Sequence, residues 1–355
     1  MTTTDTTVTG ETLREWLETG RPLSLLDVRP AAERAEWFVP GSLHVDAYDR
    51  LKAGDSSALA EVDLPADRPV VTICAAGRTS LIAAEQLRAR GLEALSLEGG
   101  MRAWSLAWNT AAAPVPGSAA TVLQVRRTGK GCLSYLVGAD GIAAVIDPSL
   151  DPAIYLELAQ QHGWRITHVL ETHLHADHLS RARQLAAQAG AVLALPAAHR
   201  LAAPFTPLYA GDAIALGPAR LTVLDTPGHT PESVTYQLDD AALFTGDTLF
   251  LAAVGRPDLH ADPEGARLKA HALYASLQRL LALPAETLVL PGHTSAPVAF
   301  DGQPIAATLA EVRQATPILA ADEAIFVSSL LSRLSPTPPT HAQIIALNEQ
   351  GAALP

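Results

Sequence analysis

Five histidines and two aspartates in the second half of the chain have the types and spacing that a divalent metal site requires. They lie in Thr172-His173-Leu174-His175-Ala176-Asp177-His178, in Thr226-Pro227-Gly228-His229-Thr230, in Thr245-Gly246-Asp247-Thr248 and in Pro291-Gly292-His293. Imidazole nitrogens and carboxylate oxygens bind borderline and hard divalent cations, and they must converge from several loops to enclose an ion. A second chemistry is offered by Cys74 in Cys74-Ala75-Ala76-Gly77-Arg78-Thr79-Ser80. An apolar run at 70–73 leads into this segment and a helical stretch at 81–89 leaves it, so the cysteine is placed in a strand-to-helix loop. Backbone N–H groups and the positive helix end there suit an anionic sulfur or a sulfur attached to it, and Arg78 adds positive charge. Cys132 enters an apolar strand in Gly131-Cys132-Leu133 and reads as packing.

The elements that must hold these groups fall into two modules. Apolar runs at 23–28, 70–73 and 94–97 alternate with helical stretches, which predicts a small α/β layer with a parallel sheet. The stretch 109–120 is rich in small residues and carries two prolines, so a boundary is expected there, with modules over 1–110 and 121–355 and a linker at 111–120. Beyond it, strands are expected at 122–126, 133–137, 143–146, 192–195, 221–224, 234–237 and 242–244, with helices at 153–162 and 181–189 lying outside the sheets. The ligand segments follow apolar runs ending at Leu170, Leu224 and Phe244, so they are expected to meet at one edge of the sheets. The glycines at 228 and 246 suit tight turns beside an ion, and Thr230 or Thr248 would orient a ligand.

Composition restricts the setting. The 355 residues are 48% apolar and 5% aromatic, enough for two cores. No run is long and uncharged enough for a membrane span, and Met1-Thr2-Thr3-Thr4-Asp5 has no basic or apolar signal region, so a cytoplasmic protein is expected. With two cysteines there is no disulfide framework. The formal charge of −12 and the absence of a basic cluster argue against nucleic acid as partner. A homodimer is compatible with the sequence.

The second module resembles the metallo-β-lactamase superfamily through its His-x-His-x-Asp-His run, the later His229, Asp247 and the last histidine, His293. That resemblance implies an αββα sandwich. The superfamily holds dinuclear zinc hydrolases such as glyoxalase II and mononuclear iron persulfide dioxygenases, and the ligand motif does not separate them. Gly255-Arg256-Pro257-Asp258-Leu259 looks like the Gly-Arg-x-Asp segment of the dioxygenases, with Arg256 as a clamp for the carrier's carboxylate. The tail from Pro338 to Asn348 resembles the C-terminal helix of bacterial members of that group, although Thr294 and Ser295 stand where its glutathione-using members carry a tyrosine.

On this resemblance His173, His229 and Asp247 hold one Fe(II) per chain, and a small-molecule persulfide, with glutathione the expected thiol, is oxidised by O₂ to sulfite. His175, Asp177, His178 and His293 then lie around that ion. In the alternative they complete a site for two Zn(II) in a thioester hydrolase. The first module resembles the rhodanese family from Thr9 to Trp108, through the Cys74 loop, Asp27-Val28-Arg29, Pro40-Gly41-Ser42 and Glu98-Gly99-Gly100-Met101-Arg102-Ala103-Trp104. This implies that Cys74 carries a persulfide, with Arg78 binding the donor and thiosulfate or sulfite as partner. Alanine stands at 75 where arginine is common, and Asp27 and Arg29 read as braces. The fold expected overall is an α/β rhodanese domain followed by a metallo-β-lactamase sandwich.

Overall fold

The computed structural model describes residues 6–334 and 340–351. The opening Met1 to Asp5 and the tail's Pro338 and Pro339, both used above, lie outside the described residues. The chain divides into two compact units: 1–110 with 126–132 and 295–302, and 111–125 with 133–294 and 303–355.

The first unit is built on β1 (Thr7–Val8), β2 (Ser24–Asp27), β3 (Leu43–His44), β4 (Val70–Ile73) and β5 (Ala94–Leu97), in the order β1-β5-β4-β2-β3. Every pairing is parallel. Its helices are α1 (Gly10–Glu18), α2 (Ala31–Glu36), α3 (Tyr48–Lys52), α4 (Arg78–Ala89) and α5 (Gly100–Trp104). The strands are apolar on both faces because both are covered. Leu26 and Val70 join Leu51, Ala84 and Leu87 on one side, while Leu25, Val71, Ile73 and Leu97 join Leu13 and Trp104 on the other. Such two-sided burial is why these strands read as continuous apolar runs.

The second fold contains two sheets. One comprises β6 (Asn109–Ala113), β7 (Thr121–Arg127), β8 (Cys132–Ala139), β9 (Ile142–Ile146), β10 (Arg165–Leu170), β11 (Val192–Pro196) and β12 (Thr206–Leu208), in the order β12-β11-β10-β9-β8-β7-β6. The other runs β13 (Ala213–Leu216), β14 (Ala219–Asp225), β15 (Val234–Leu238), β16 (Ala242–Gly246), β17 (Leu288–Pro291) and β18 (Ala307–Thr308) in sequence order. Between them lies one core, in which Tyr135, Val137, Ile146 and Leu170 of the first sheet meet Leu221, Val223, Tyr236, Phe244 and Leu290 of the second.

The outer faces carry helices. The helices α6 (Pro152–Gln161) and α7 (Ala182–Ala189) lie on β10. On the second sheet, α8 (Pro263–Leu281), α9 (Leu309–Ala315) and α10 (Glu323–Ser332) cover Leu243 and Val289. The final helix is α11 (His341–Gln350). This is the expected layering of helices, two sheets and helices.

The stretch read as a structureless boundary is partly ordered. Asn109, Ala111 and Ala113 alternate inward as β6, the edge strand beside β7. Small side chains gave no hydrophobic signal there, but an edge strand needs chiefly backbone pairing.

Candidate metal centre and cysteine loop

The seven candidate ligands leave the strand ends on one rim. His173, His175, Asp177 and His178 follow β10, His229 follows β14, Asp247 follows β16 and His293 follows β17, so both sheets contribute. One donor atom each from His173, His229 and Asp247 lies within 4.8 Å of the other two. The rings of His173 and His175 are 4.2 Å apart, those of His173 and His229 4.9 Å, and those of His175 and His178 4.3 Å. His293 joins the two carboxylates: its Nε2 is 3.0 Å from Asp177 Oδ2 and its Nδ1 3.4 Å from Asp247 Oδ1.

Three imidazoles, His173, His175 and His229, are turned by a partner on the far nitrogen. His229 Nδ1 donates to the carbonyl of Arg256 at 2.9 Å. His173 Nδ1 donates to Thr172 Oγ1 at 2.9 Å, and that hydroxyl in turn donates to Asp147 Oδ2 at 2.8 Å. His175 Nε2 faces Asp147 Oδ1 at 3.3 Å. These bonds fix the tautomers so that His173 Nε2 and His175 Nδ1 point into the cluster, where both are buried without a hydrogen-bond partner among the described residues. Buried polar atoms left unpaired are costly. A cation accepting their lone pairs removes that cost, so the residues fit a metal.

The electrostatics agree for His173 and His229, while Asp147 draws His175 up against burial. Burial pushes His173 well down and His229 down, which keeps both imidazoles neutral. Burial alone would raise Asp177 and Asp247. Instead, His178 and His293 beside the first, and His293 beside the second, hold both below the usual carboxylate range. Neutral imidazoles and ionised carboxylates are the protonation states that ligate.

Close backbone packing shapes the rim. Gly246 has φ +50, and a Cβ there would lie 2.4 Å from Thr172 Oγ1; a Cβ on Gly292 would lie 2.8 Å from Asp247 Oδ1. Thr230 and Thr248 do not orient ligands: their hydroxyls bond Ser233 and Thr226. That role belongs to Thr172 and Asp147, which the sequence reading passed over. Asp147 directly follows β9, with φ +52. An acidic residue ending a core strand is the available signal. Glu171 and His199 form a further buried pair, 3.4 Å apart, that was not foreseen.

Arg256 is paired with an aspartate of its own motif. Its guanidinium makes a bidentate pair with Asp258, at 2.8 and 2.7 Å, while its carbonyl holds His229. The side chain expected to grip a carrier carboxylate is therefore already engaged by the neighbouring aspartate.

In the first unit Cys74 ends β4 at the loop before α4 and is buried. Its Sγ accepts from Gly77 N at 3.1 Å and from Ser80 Oγ at 3.2 Å. Arg78 opens α4 and is exposed. Asp27 and Arg29 form a buried pair at 2.7 Å, and Arg29 also donates to the carbonyl of Trp37. Cys132 is buried at the start of β8, and the two cysteines form no disulfide.

Residues 127–293 match the family model of the metallo-beta-lactamase superfamily, and residues 9–107 that of the rhodanese-like domain. A hydroxyacylglutathione hydrolase of Rhodospirillum rubrum is 43% identical over 164 residues, covering 45% of this chain and 60% of that protein. One of Methylococcus capsulatus is 37% identical over 206 residues, covering 56% of this chain and 77% of that protein. The crystal structure of ETHE1 from Myxococcus xanthus superposes with a TM-score of 0.56 at 29% identity, over 64% of this chain and 96% of that one.

The relatives overturn the oxidative expectation. Relatives 37–43% identical are named hydroxyacylglutathione hydrolases, so the expectation of a persulfide dioxygenase consuming O₂ and releasing sulfite is overturned. The ligand types never separated the two chemistries. The choice between them rested on Gly255 to Leu259 and on the tail from Pro338 to Asn348; in the first of these the Arg256 guanidinium is paired with Asp258. Among the described residues no helix is long and apolar enough to cross a membrane.

Proposed function

We propose, because this chain belongs to the metallo-β-lactamase superfamily and carries a rhodanese-like domain ahead of that fold, that its second unit hydrolyses a glutathione thioester at a two-metal centre. The observation that carries the reading is His293, which touches both Asp177 and Asp247. The donors beyond the triad of His173, His229 and Asp247 thus belong to one continuous cluster. His173, His175 and His229 would hold one ion, Asp177, His178 and His293 the other, and Asp247, which lies against both sets, would serve the two together. Imidazole and carboxylate donors suit zinc.

Such ions supply a water acidic enough to attack at neutral pH and polarise the thioester carbonyl. The chain's own part is positioning. The carbonyl of Arg256 and the Thr172–Asp147 pair hold His229 and His173 in the tautomers that direct Nε2 inward. The ionised Asp177 and Asp247 balance the charge a metal pair brings. The products are a carboxylic acid and a free thiol: the acyl C–S bond breaks, a C–O bond from water forms, and the thiolate sulfur takes the proton.

The relatives' names support a glutathione carrier and a hydroxyacyl group. The direct test is to supply a hydroxyacylglutathione under nitrogen and follow free thiol. Thiol release at an undiminished rate without oxygen is expected, and no release by the zinc-loaded chain would overturn the reading.

For the first unit we propose that Cys74 accepts a sulfane sulfur. Its thiolate would form an S–S bond while the donor's own S–S bond breaks, and sulfite would leave when thiosulfate is the donor. The two hydrogen bonds onto Sγ support this. A mass gain of one sulfur atom after incubation with thiosulfate, absent in Cys74→Ser, is the expected result; equal gain in both would contradict it.

A further inference from the structure

The ligand run from 172 to 179 forms no helix or strand. Its first residues are held by Val234, Asp147 and Glu232, which bond Thr172 O, Thr172 N and Leu174 N. The carbonyls of His175 and His178 are held instead from α11, some 170 residues further along. Asn348 Nδ2 donates to the carbonyl of His175 at 2.9 Å and to the carbonyl of His178 at 2.9 Å. Its Oδ1 accepts from Ser180 N at 3.0 Å. One buried amide thus spans three backbone groups across the turn that carries His175, Asp177 and His178.

The helix that delivers it is tied down at its other contacts. Glu349 pairs with Arg200 at 2.6 Å and its carbonyl accepts from Ala202 N at 2.6 Å, while Arg183 donates to the carbonyl of Gly351 at 2.6 Å. Behind the ligand run lies a cavity of about 190 Å³ lined by Glu171, Leu174, His175, His199, Leu347 and Asn348 among others. Asn348 lines this cavity, and its amide holds the ligand run beside it.

We infer that Asn348 is a positioning residue of the metal centre, holding the His175 and His178 peptides so that the His175 imidazole faces one ion while the His178 imidazole and the Asp177 carboxylate face the other. The inference rests on the two-metal reading but not on the identity of the thioester. Both carbonyls belong to ligand residues, so a displacement of either peptide carries its imidazole with it. Partners one step removed from a metal typically matter by about 10–100-fold in affinity.

The test is Asn348→Asp in the full chain. The substitution preserves shape and the bond from Ser180, but sets an acceptor against two carbonyls. Zinc affinity by chelator competition is expected to fall by about 10–100-fold, and the visible absorption of the cobalt-substituted protein to change. Asn348→Ala, which removes the donors without adding repulsion, covers the case in which the aspartate variant does not fold; a smaller loss in the same direction is expected. Gln343→Ala, at an exposed position of α11 away from these contacts, should leave both readouts at wild-type values. Zinc affinity within about threefold of wild type, with an unchanged cobalt spectrum, in whichever of the two Asn348 variants folds would overturn the inference. A wild-type chain that binds no zinc would overturn the metal centre and this inference with it, whereas tight zinc binding without hydrolysis would sink only the thioester reading.

Discussion

Thr172→Val probes the ligand scaffold with little change in volume. The Thr172 hydroxyl is fully engaged: it donates to Asp147 Oδ2 at 2.8 Å and accepts from His173 Nδ1 at 2.9 Å. Valine keeps the shape and the backbone bond from Thr172 N to Asp147 Oδ1 at 2.7 Å, but strands one carboxylate oxygen and one imidazole N–H. Thr172 and both partners are buried, so water does not take over. Two unsatisfied groups at about 1–3 kcal/mol each predict a loss of roughly 2–6 kcal/mol in the metal-free protein. The freed His173 ring should also cost about 10-fold or more in metal affinity. Urea unfolding of the apo chain and zinc titration measure the two effects, and Thr172→Ser should restore most of both. A valine variant within about 0.5 kcal/mol of wild type, binding zinc as tightly, would refute the claim that this hydroxyl sets the ring.

Asp247→Asn should release metal, because it removes charge from the one carboxylate placed against both donor sets; retained stoichiometric zinc by elemental analysis would argue against that placement. Gly292→Ala puts a Cβ 2.8 Å from Asp247 Oδ1, so weaker zinc binding with near-normal folding is expected, and unchanged affinity would mean the rim yields. Asp177 and Asp247 have folded-state pKa values below their unfolded ones, so their contribution to stability is full above the unfolded value of about 4 and disappears as pH falls through the folded values. The metal-free wild type should accordingly lose stability more steeply than Asp177→Asn below about pH 4, and parallel urea midpoints would contradict this. In the first unit, Asp27→Ala leaves the buried Arg29 without its carboxylate and should destabilise that unit by about 3–5 kcal/mol; a shift of its thermal transition too small to match would show that Arg29 finds another partner.

Much of this architecture can be read from residue patterns. The runs at 70–73 and 94–97 are buried on both faces, so hydrophobicity alone locates those strands. The ligands were visible because metal chemistry restricts residue type and because His-x-His-x-Asp-His concentrates four donors in one loop. What escaped detection depends on pairing across the chain. The edge strand β6 is made of small residues, and α8 was not read although Asp262 caps it, Pro263 opens it, and Ala266, Ala270, Leu273 and Leu277 recur at helical spacing. Asp147, Thr172 and Asn348 act on atoms close in space but distant or unremarkable in sequence, so spacing carries no trace of them. Arg256 is paired with Asp258, the aspartate of its own short motif.

The most direct trial of the central claim is a metal reconstitution series of the apo chain, with zinc per chain and hydroxyacylglutathione hydrolysis measured on the same samples. Two ions per chain should bind, with hydrolysis growing as the second is taken up. Binding that stops at one ion, or a doubly loaded chain that leaves the thioester intact, would contradict the account.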